Sequence, residues 1–323
     1  MSTLRRATAI ALALLAVACN GGQRLPDVQA SISTAAAAPA PPQADPAVLP
    51  PVPAGDRVAV DLVLLDRTIE IAPGVKYQTW TFNGTVPGPV VHARVGQTID
   101  VTLTNKSAMA HSIDFHSALA PPNVAYQSIA PGSSIHFSWV AKYPGAFLYH
   151  CGTPPVLMHI SNGMYGAVVV DPENGWPDGN MLSYVLLQSE FYTQPVPGLP
   201  GVYRGDFAKA RASMADIVAF NGYAMQYLKK PLAISVGNPV RLFVVNAGPS
   251  HFSAFHVIGT VMDTTYTGGN PANALHGLQT VAIAPGDGAV TEFSAHQAGR
   301  YPFVTHSFGD ADLGAMGAFV TTQ

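Results

Sequence analysis

From Val58 onward, apolar and polar positions alternate in short runs. "VAVDLVLLDRTIEIA", "YQTWTFNG", "TIDVTLTN" and "IHFSWVA" are rich in β-branched and aromatic residues and are bounded by Gly, Pro and Asn. Successive side chains of a strand point to opposite faces, so this period of two predicts half-buried strands. A helical period is scarce. The best helical candidate is "RGDFAKARASMAD", Arg204 to Asp216. The expected class is all-β with little helix.

The strand plan then repeats. "VGQTIDVTLTN" (Val95 to Asn105) answers "VGNPVRLFVVN" (Val236 to Asn246), and "IAPGSSIHFSW" from Ile129 answers "IAPGDGAVTEFSA" from Ile283. "YPGAFLYHC" answers "AGRYPFVTH", and "GMYGAVVV" answers "GAMGAFVT". Two tandem β-sandwich domains of one kind are expected at about 57–172 and 178–322, joined near "DPENGWPDGN". The alignment sets Thr305 opposite Cys151 and Ala315 opposite Met164, so soft metal ligands survive only in the first copy.

Composition adds a compartment. The 323 residues allow two ordinary domains, and with 11% charged residues and a net charge of −3 there is no basic footprint for nucleic acid. Residues 1–19 read as a signal: "MSTLRR" is basic, and "ATAIALALLAVA" is apolar but too short to span a bilayer. Small residues followed by Cys19 resemble a bacterial lipoprotein signal, in which Cys19 becomes the lipidated first residue; a plain secretory signal cut near Cys19 is the alternative. Either way the chain is exported, to the periplasm or the outer membrane, and a lipid anchor would be its only membrane contact. Residues 20–56 are Ala/Pro-rich and read as an extended tether. The chain has two cysteines. With Cys19 spoken for, Cys151 has no partner, and an unpaired thiol in an oxidising compartment is a liability unless a metal holds it.

Cys151 stands in "YHCGTPPVLMHISNGMYG" with His159 and Met164 after it, spaced C-x7-H-x4-M. With His111 of the upstream "HSIDFH", these are the ligand types of a blue-copper site: two imidazoles, a thiolate and a weak axial thioether. A lone His or Met in a β protein is more often packing, but four ligand types in order is a different observation. Strand parity extends it. If Cys151 points into the first domain, its neighbour His150 points out. His111 and His116 are five apart and also face opposite ways, while Asp114 shares the face of His116. A second constellation of His116, His150 and Asp114 is therefore expected on the outer surface. Two histidines do not close a metal site. Among the second-domain histidines 251, 256, 276, 296 and 306, His306 ends the strand equivalent to that of Cys151 and is the best third ligand. Three imidazoles with an open position make a catalytic site, with Asp114 as an acid/base group and His256 as its partner.

The chain after the tether resembles the copper-containing nitrite reductases. The resemblance is carried by "FNGTVPGPVVHARVGQTIDVTLTN", "HSIDFH", "YHCGTPPVLMHISNGMYGAVVV", "FHVIG" and the "THS" around His306. "MHISNGMYG" looks most like the branch that includes outer-membrane lipoproteins, in accord with Cys19. The resemblance implies cupredoxin-like Greek-key domains and two coppers per subunit. His111, Cys151, His159 and Met164 would bind an electron-accepting type 1 copper. His116, His150 and His306 would bind a catalytic type 2 copper. It also implies a homotrimer in which His306 reaches a neighbouring subunit. Asp114 and His256 would handle protons and nitrite, Ile258 would lie over the substrate, and Thr280 would support the catalytic His. The electron would come from a small redox donor, a cupredoxin or c-type cytochrome, and cross the Cys151–His150 link.

Three other readings are weaker. A two-domain laccase-type oxidase needs His-X-His pairs and a His after the cysteine, but Gly152 follows Cys151 and "HSIDFH" is not His-X-His. A blue-copper electron carrier has no use for the second constellation. A structural or adhesive lipoprotein leaves all the histidines unexplained.

Overall fold

A computed structural model describes residues 47–322. The signal segment, Cys19 and most of the tether lie outside them. The described chain forms two β-sandwiches. In the first, Val75–Phe82, Arg57–Ala72, Thr98–Asn105 and Ser134–Val140 lie in one sheet, and Val91–Arg94, Tyr165–Asp171, Gly145–His150 and Asp114–Phe115 in the other. In the second, a six-stranded sheet centred on Pro239–Gly248 faces a five-stranded sheet centred on Arg300–Thr305.

The alternating runs fold as their period demands. Thr98–Asn105 buries Ile99, Val101, Leu103 and Asn105 while its other residues are half-exposed. Burying each such aliphatic side chain stabilises the fold by about 1.5–3 kcal/mol. Tyr165–Asp171 departs from alternation and is buried through Val170. One face packs in the first sandwich's core with Cys151, while Tyr165, Ala167 and Val169 pack against Val185, Leu187, Phe243, Val245 and Val290 of the second sandwich. A sheet covered on both faces needs no polar side.

Three expectations are corrected. The tether is docked from Ala47 onward. Val185 N–H donates to the Ala47 carbonyl (2.6 Å), and Gln97 Nε2 donates to the carbonyls of Pro53 and Gly55 (3.0 and 2.6 Å). Proline lacks a donor but keeps its acceptor, so a Pro-rich segment can lie along other elements as a string of carbonyls. The helix expected over Arg204–Asp216 is confined to Phe207–Arg211, started by the Asp206 carboxylate accepting from the N–H groups of Ala208 and Lys209. Finally, the boundary near residue 178 is not a boundary in space. Val202–Gly205 and Thr193–Pro195 extend the first sandwich's sheet, with Val202 and Tyr203 paired to Lys76 and Tyr77.

The internal repeat is visible atom by atom. Cys151 N–H donates to the Met164 carbonyl (3.1 Å), and Thr305 N–H to that of Ala315 (3.2 Å). The Cys151 sulfur accepts from Ser112 N–H (3.4 Å), and the Thr305 hydroxyl from Ala254 N–H (3.0 Å). Thr305 and Ala315 thus occupy the Cys151 and Met164 positions of a second domain that has lost the soft donors.

Two candidate metal centres

Cys151 follows directly on the strand Gly145–His150, and the two neighbours diverge as parity requires. Cys151 is fully buried in the first sandwich's core; His150 shares the opposite face with Ala146 and Leu148. The loop after Cys151 is not plain turn. It carries a short helix, Val156–Ser161, which presents His159 inward. His111, Cys151, His159 and Met164 are all fully buried. The Nδ1 atoms of His111 and His159 face each other at 3.0 Å, and the Cys151 sulfur lies 3.3 Å from His159 Nδ1 and 3.9 Å from His111 Nδ1. Met164 joins them through its backbone, its N–H donating to the His159 carbonyl at 3.2 Å. Trp80 packs on both imidazoles, with ring centroids 5.3 and 5.0 Å away.

The surroundings fix the donor atoms. His111 Nε2 meets the Ser107 hydroxyl (2.9 Å), which donates to Asp66 Oδ1 (2.7 Å). Asp66 therefore makes the hydroxyl an acceptor, Nε2 carries the proton, and His111 Nδ1 presents a lone pair. Burial lowers the His111 pKa to about 4, and burial together with the nearby His111 lowers that of His159 to about 3. Burial also pushes the Cys151 thiol up, against N–H donation from Ser112 and Thr153. Neutral imidazoles and a thiol awaiting a cation to ionise it, with donor separations of roughly 3–4 Å, suit bonds of about 2.0–2.3 Å to one soft ion.

A pH dependence follows for the metal-free protein. A depressed histidine pKa makes the unfolded chain bind more protons between the folded values near 3 to 4 and the ordinary value of about 6.5. This contribution to stability is present above about pH 6.5 and is lost on acidification through that window. Thermal unfolding of metal-free protein should show a midpoint falling as pH drops from 6.5 to 4. A midpoint unchanged between pH 6.5 and pH 4 would contradict this account.

Gly163 closes the loop between His159 and Met164 with φ +99°, and an added Cβ would collide with Thr79 Oγ1 and with Val86 Cγ2 at 2.7 Å. Gly163→Ala should therefore destabilise by about 1–3 kcal/mol, read as a lower unfolding midpoint.

The second constellation is also assembled. Asp114 and His150 are cross-strand partners, and Asp114, His116 and His150 bring their ligand atoms within 4.8 Å of one another. His116 Nε2 faces His150 Nε2 at 3.1 Å. Each ring's Nδ1 meets a carbonyl, His116 that of Gly286 and His150 that of Cys151, both at 2.9 Å. A carbonyl only accepts, so both Nδ1 atoms carry protons and both Nε2 atoms carry lone pairs. Two lone pairs aimed at each other repel unless a cation lies between them. Burial holds the His150 pKa below its usual range, keeping it a ligand rather than a cation.

His306 is not in this cluster. It is exposed and pairs with His256, ring centroids 5.6 Å apart. His256 Nδ1 is tied to the Gln279 carbonyl, immediately before Thr280, which is half-buried. Ile258 stands exposed two residues beyond His256, and Phe308 packs on His306 with centroids 4.8 Å apart. Within one chain these residues thus fall into separate groups: Asp114, His116 and His150 on the first sandwich, and His256 and His306, with Ile258 just past the end of the strand that carries His256, on the second. The internal repeat makes Asp114 and His256 equivalents, since Asp114 pairs with His150 as His256 pairs with Val304.

A curated copper-containing nitrite reductase from Neisseria gonorrhoeae is 37% identical over 282 residues, covering 85% of this chain and 71% of that protein. The chain belongs to the copper-containing nitrite reductase family. A copper nitrite reductase structure from Nitrosomonas europaea matches with a TM-score of 0.74 and 34% identity, over 83% of this chain and 94% of that one. A multicopper oxidase family model matches residues 65–175, and a solved multicopper oxidase is similar at 26% identity with a TM-score of 0.72, over 82% of this chain and 89% of that one. The wider architecture is therefore shared with oxidases, and the nitrite reductases of the family share it at higher identity.

Several contributors escape sequence reasoning. Asp66 and Ser107 orient His111, Trp80 covers both imidazoles, and Gly286 holds His116. Of these, only Gly286 had a signal, the repeated "IAPG". The histidines without a role divide: His92 pairs with Asp171 at 3.2 Å and His251 with Asp310 at 2.8 Å, while His136, His276 and His296 are exposed.

Proposed function

We propose that this chain is an exported copper nitrite reductase in which nitrite, one electron and two protons give nitric oxide and water. The observation that carries the reading is the pair of pre-formed donor sets, His111/Cys151/His159 and His116/His150, joined through the peptide bond between His150 and Cys151. His111, Cys151, His159 and Met164 would hold the type 1 copper. His116 and His150, with His306 of a second copy of the chain, would hold the type 2 copper. Bound there, copper supplies a one-electron couple at each set and a Lewis acid for a nitrite oxygen.

The chain's own residues do the rest. The Cys151–His150 link gives a short bonded path between a buried thiolate and an imidazole on the other face of the sheet. Asp114 lies beside His150 and is placed to pass a proton to the oxygen that leaves as water. His256, held at Nδ1 by the Gln279 carbonyl, keeps Nε2 for the second proton or for orienting nitrite. Ile258 would offer an apolar wall, and Thr280, next to Gln279 in the chain, would support the segment that holds His256. The half-sites complement each other: His306 is exposed beside Phe308 and Ile258 (51% and 41% exposed), so a second copy supplying His116 and His150 would complete the ligand set and cover apolar surface. Closure of such head-to-tail contacts would make a ring, read here as a trimer. A small redox protein is the electron donor, and Cys19 tethers the enzyme to the periplasmic side of a membrane.

Copper quantification after full loading tests the two-site assignment. Two coppers per chain are expected. One per chain would reduce the protein to an electron carrier.

A further inference from the structure

Both domains contain the same turn: in the first it pairs through Ile129 with the backbone of His111 in its own domain, and in the second it reaches the ring of His116 in the other domain. In the first domain the turn is Ile129–Gly132, and in the second Ile283–Gly286. Each is held by a fully buried asparagine. The Asn105 carbonyl accepts from Gly132 N–H (2.8 Å) and its side-chain amide donates to the Ile129 carbonyl (2.9 Å); Asn246 does the same for Gly286 (2.7 Å) and Ile283 (3.0 Å). The glycines share a backbone conformation, φ +81° at Gly132 and +85° at Gly286. They differ in surroundings. A Cβ at Gly132 would meet nothing within 4 Å, whereas one at Gly286 would sit 3.2 Å from His116 Cε1 and 3.9 Å from its Nδ1. The Gly286 carbonyl takes the His116 Nδ1–H at 2.9 Å.

We infer that the second domain, having lost its own metal donors, retains this turn as the positioning element for a ligand of the first. The His116 backbone is held by its N–H donating to the Leu148 carbonyl (3.0 Å), but its ring is exposed, with His150 at a centroid distance of 5.1 Å on the Nε2 side and its Nδ1 left to Gly286. The Gly286 carbonyl selects its tautomer and sets its rotation, and the buried Asn246 sets the carbonyl. Glycine is required at 286 for two separable reasons, the positive φ and the approach of the ring, but at 132 for the first alone. The inference rests on the reading of His116 and His150 as copper ligands.

The twin turn supplies the control. Gly132→Ala and Gly286→Ala impose the same backbone conflict, and Gly286→Asn keeps the Cβ while tolerating positive φ. Copper titration against a competing chelator, with the visible absorption of the Cys151 site and the paramagnetic resonance of the second copper, reads the outcome. Gly286→Ala and Gly286→Asn should weaken the second copper equivalent roughly 10–100-fold, the range for lost outer partners, and alter its resonance while the visible band persists. Gly132→Ala should lower the unfolding midpoint yet leave the second copper unchanged. Wild-type affinity in both Gly286 variants, or an equal loss in Gly132→Ala, overturns the inference. A wild-type protein that binds only one copper instead overturns the reading beneath it.

Discussion

Cys151→Ala is expected to bleach the copper-loaded protein and bring nitrite reduction to background, while leaving a folded chain with one copper. The three donors converge in a fully buried pocket, and the sulfur is their only source of negative charge. Removing it leaves two neutral imidazoles and a thioether, which form no thiolate-to-copper absorption. The change in volume is a single sulfur atom, and the Cys151 N–H to Met164 bond is backbone and survives. His150 and His116 keep their carbonyl partners, since those too are backbone. A Cys151→Ala protein that stays coloured would remove the first centre as assigned.

His306→Ala should do the opposite. The colour should persist, since the Cys151 site lies in the other sandwich. Second-copper affinity and nitrite turnover should each fall by at least about 100-fold, because loss of a ligand exceeds the 10–100-fold cost of losing an outer partner. The separation of His306 from His116 and His150 in one chain makes a sharper form possible. If His306 acts on another copy, mixing the inactive His306→Ala and His116→Ala chains and reassembling them should restore part of the activity, since some interfaces would then pair two wild-type half-sites. No recovery from mixed assemblies with both coppers otherwise loadable would place the third ligand elsewhere.

The divergence of Cys151 and His150 was legible because a strand's period is fixed at two, so adjacent residues at a strand end must face opposite ways. His111 and His116 also diverge, though only Asp114–Phe115 between them is a strand. The lost donors of the second domain were legible because the strand leading into Thr305 aligns with the one leading into Cys151 and the "GAMGAFVT" strand with "GMYGAVVV", although the loop between them is three residues shorter in the second copy. The Asp66–Ser107–His111 chain was not, because it depends on the parallel pairing of Leu64 with Asn105, which no local pattern encodes. The helix holding His159 was hidden by the prolines before it, which read as loop. The docked stretch after Ala47 was hidden because its bonds use backbone groups, chiefly carbonyls, that every composition provides.

The most direct test of the central claim is nitric oxide release from nitrite by copper-loaded wild-type protein with a chemically reduced donor, under exclusion of oxygen. One nitric oxide should appear per electron consumed, and metal-free protein should release none. No nitric oxide from nitrite in this assay, by protein carrying its full copper, would contradict it; oxygen consumption with a phenolic substrate in a parallel aerobic assay would then mark an oxidase.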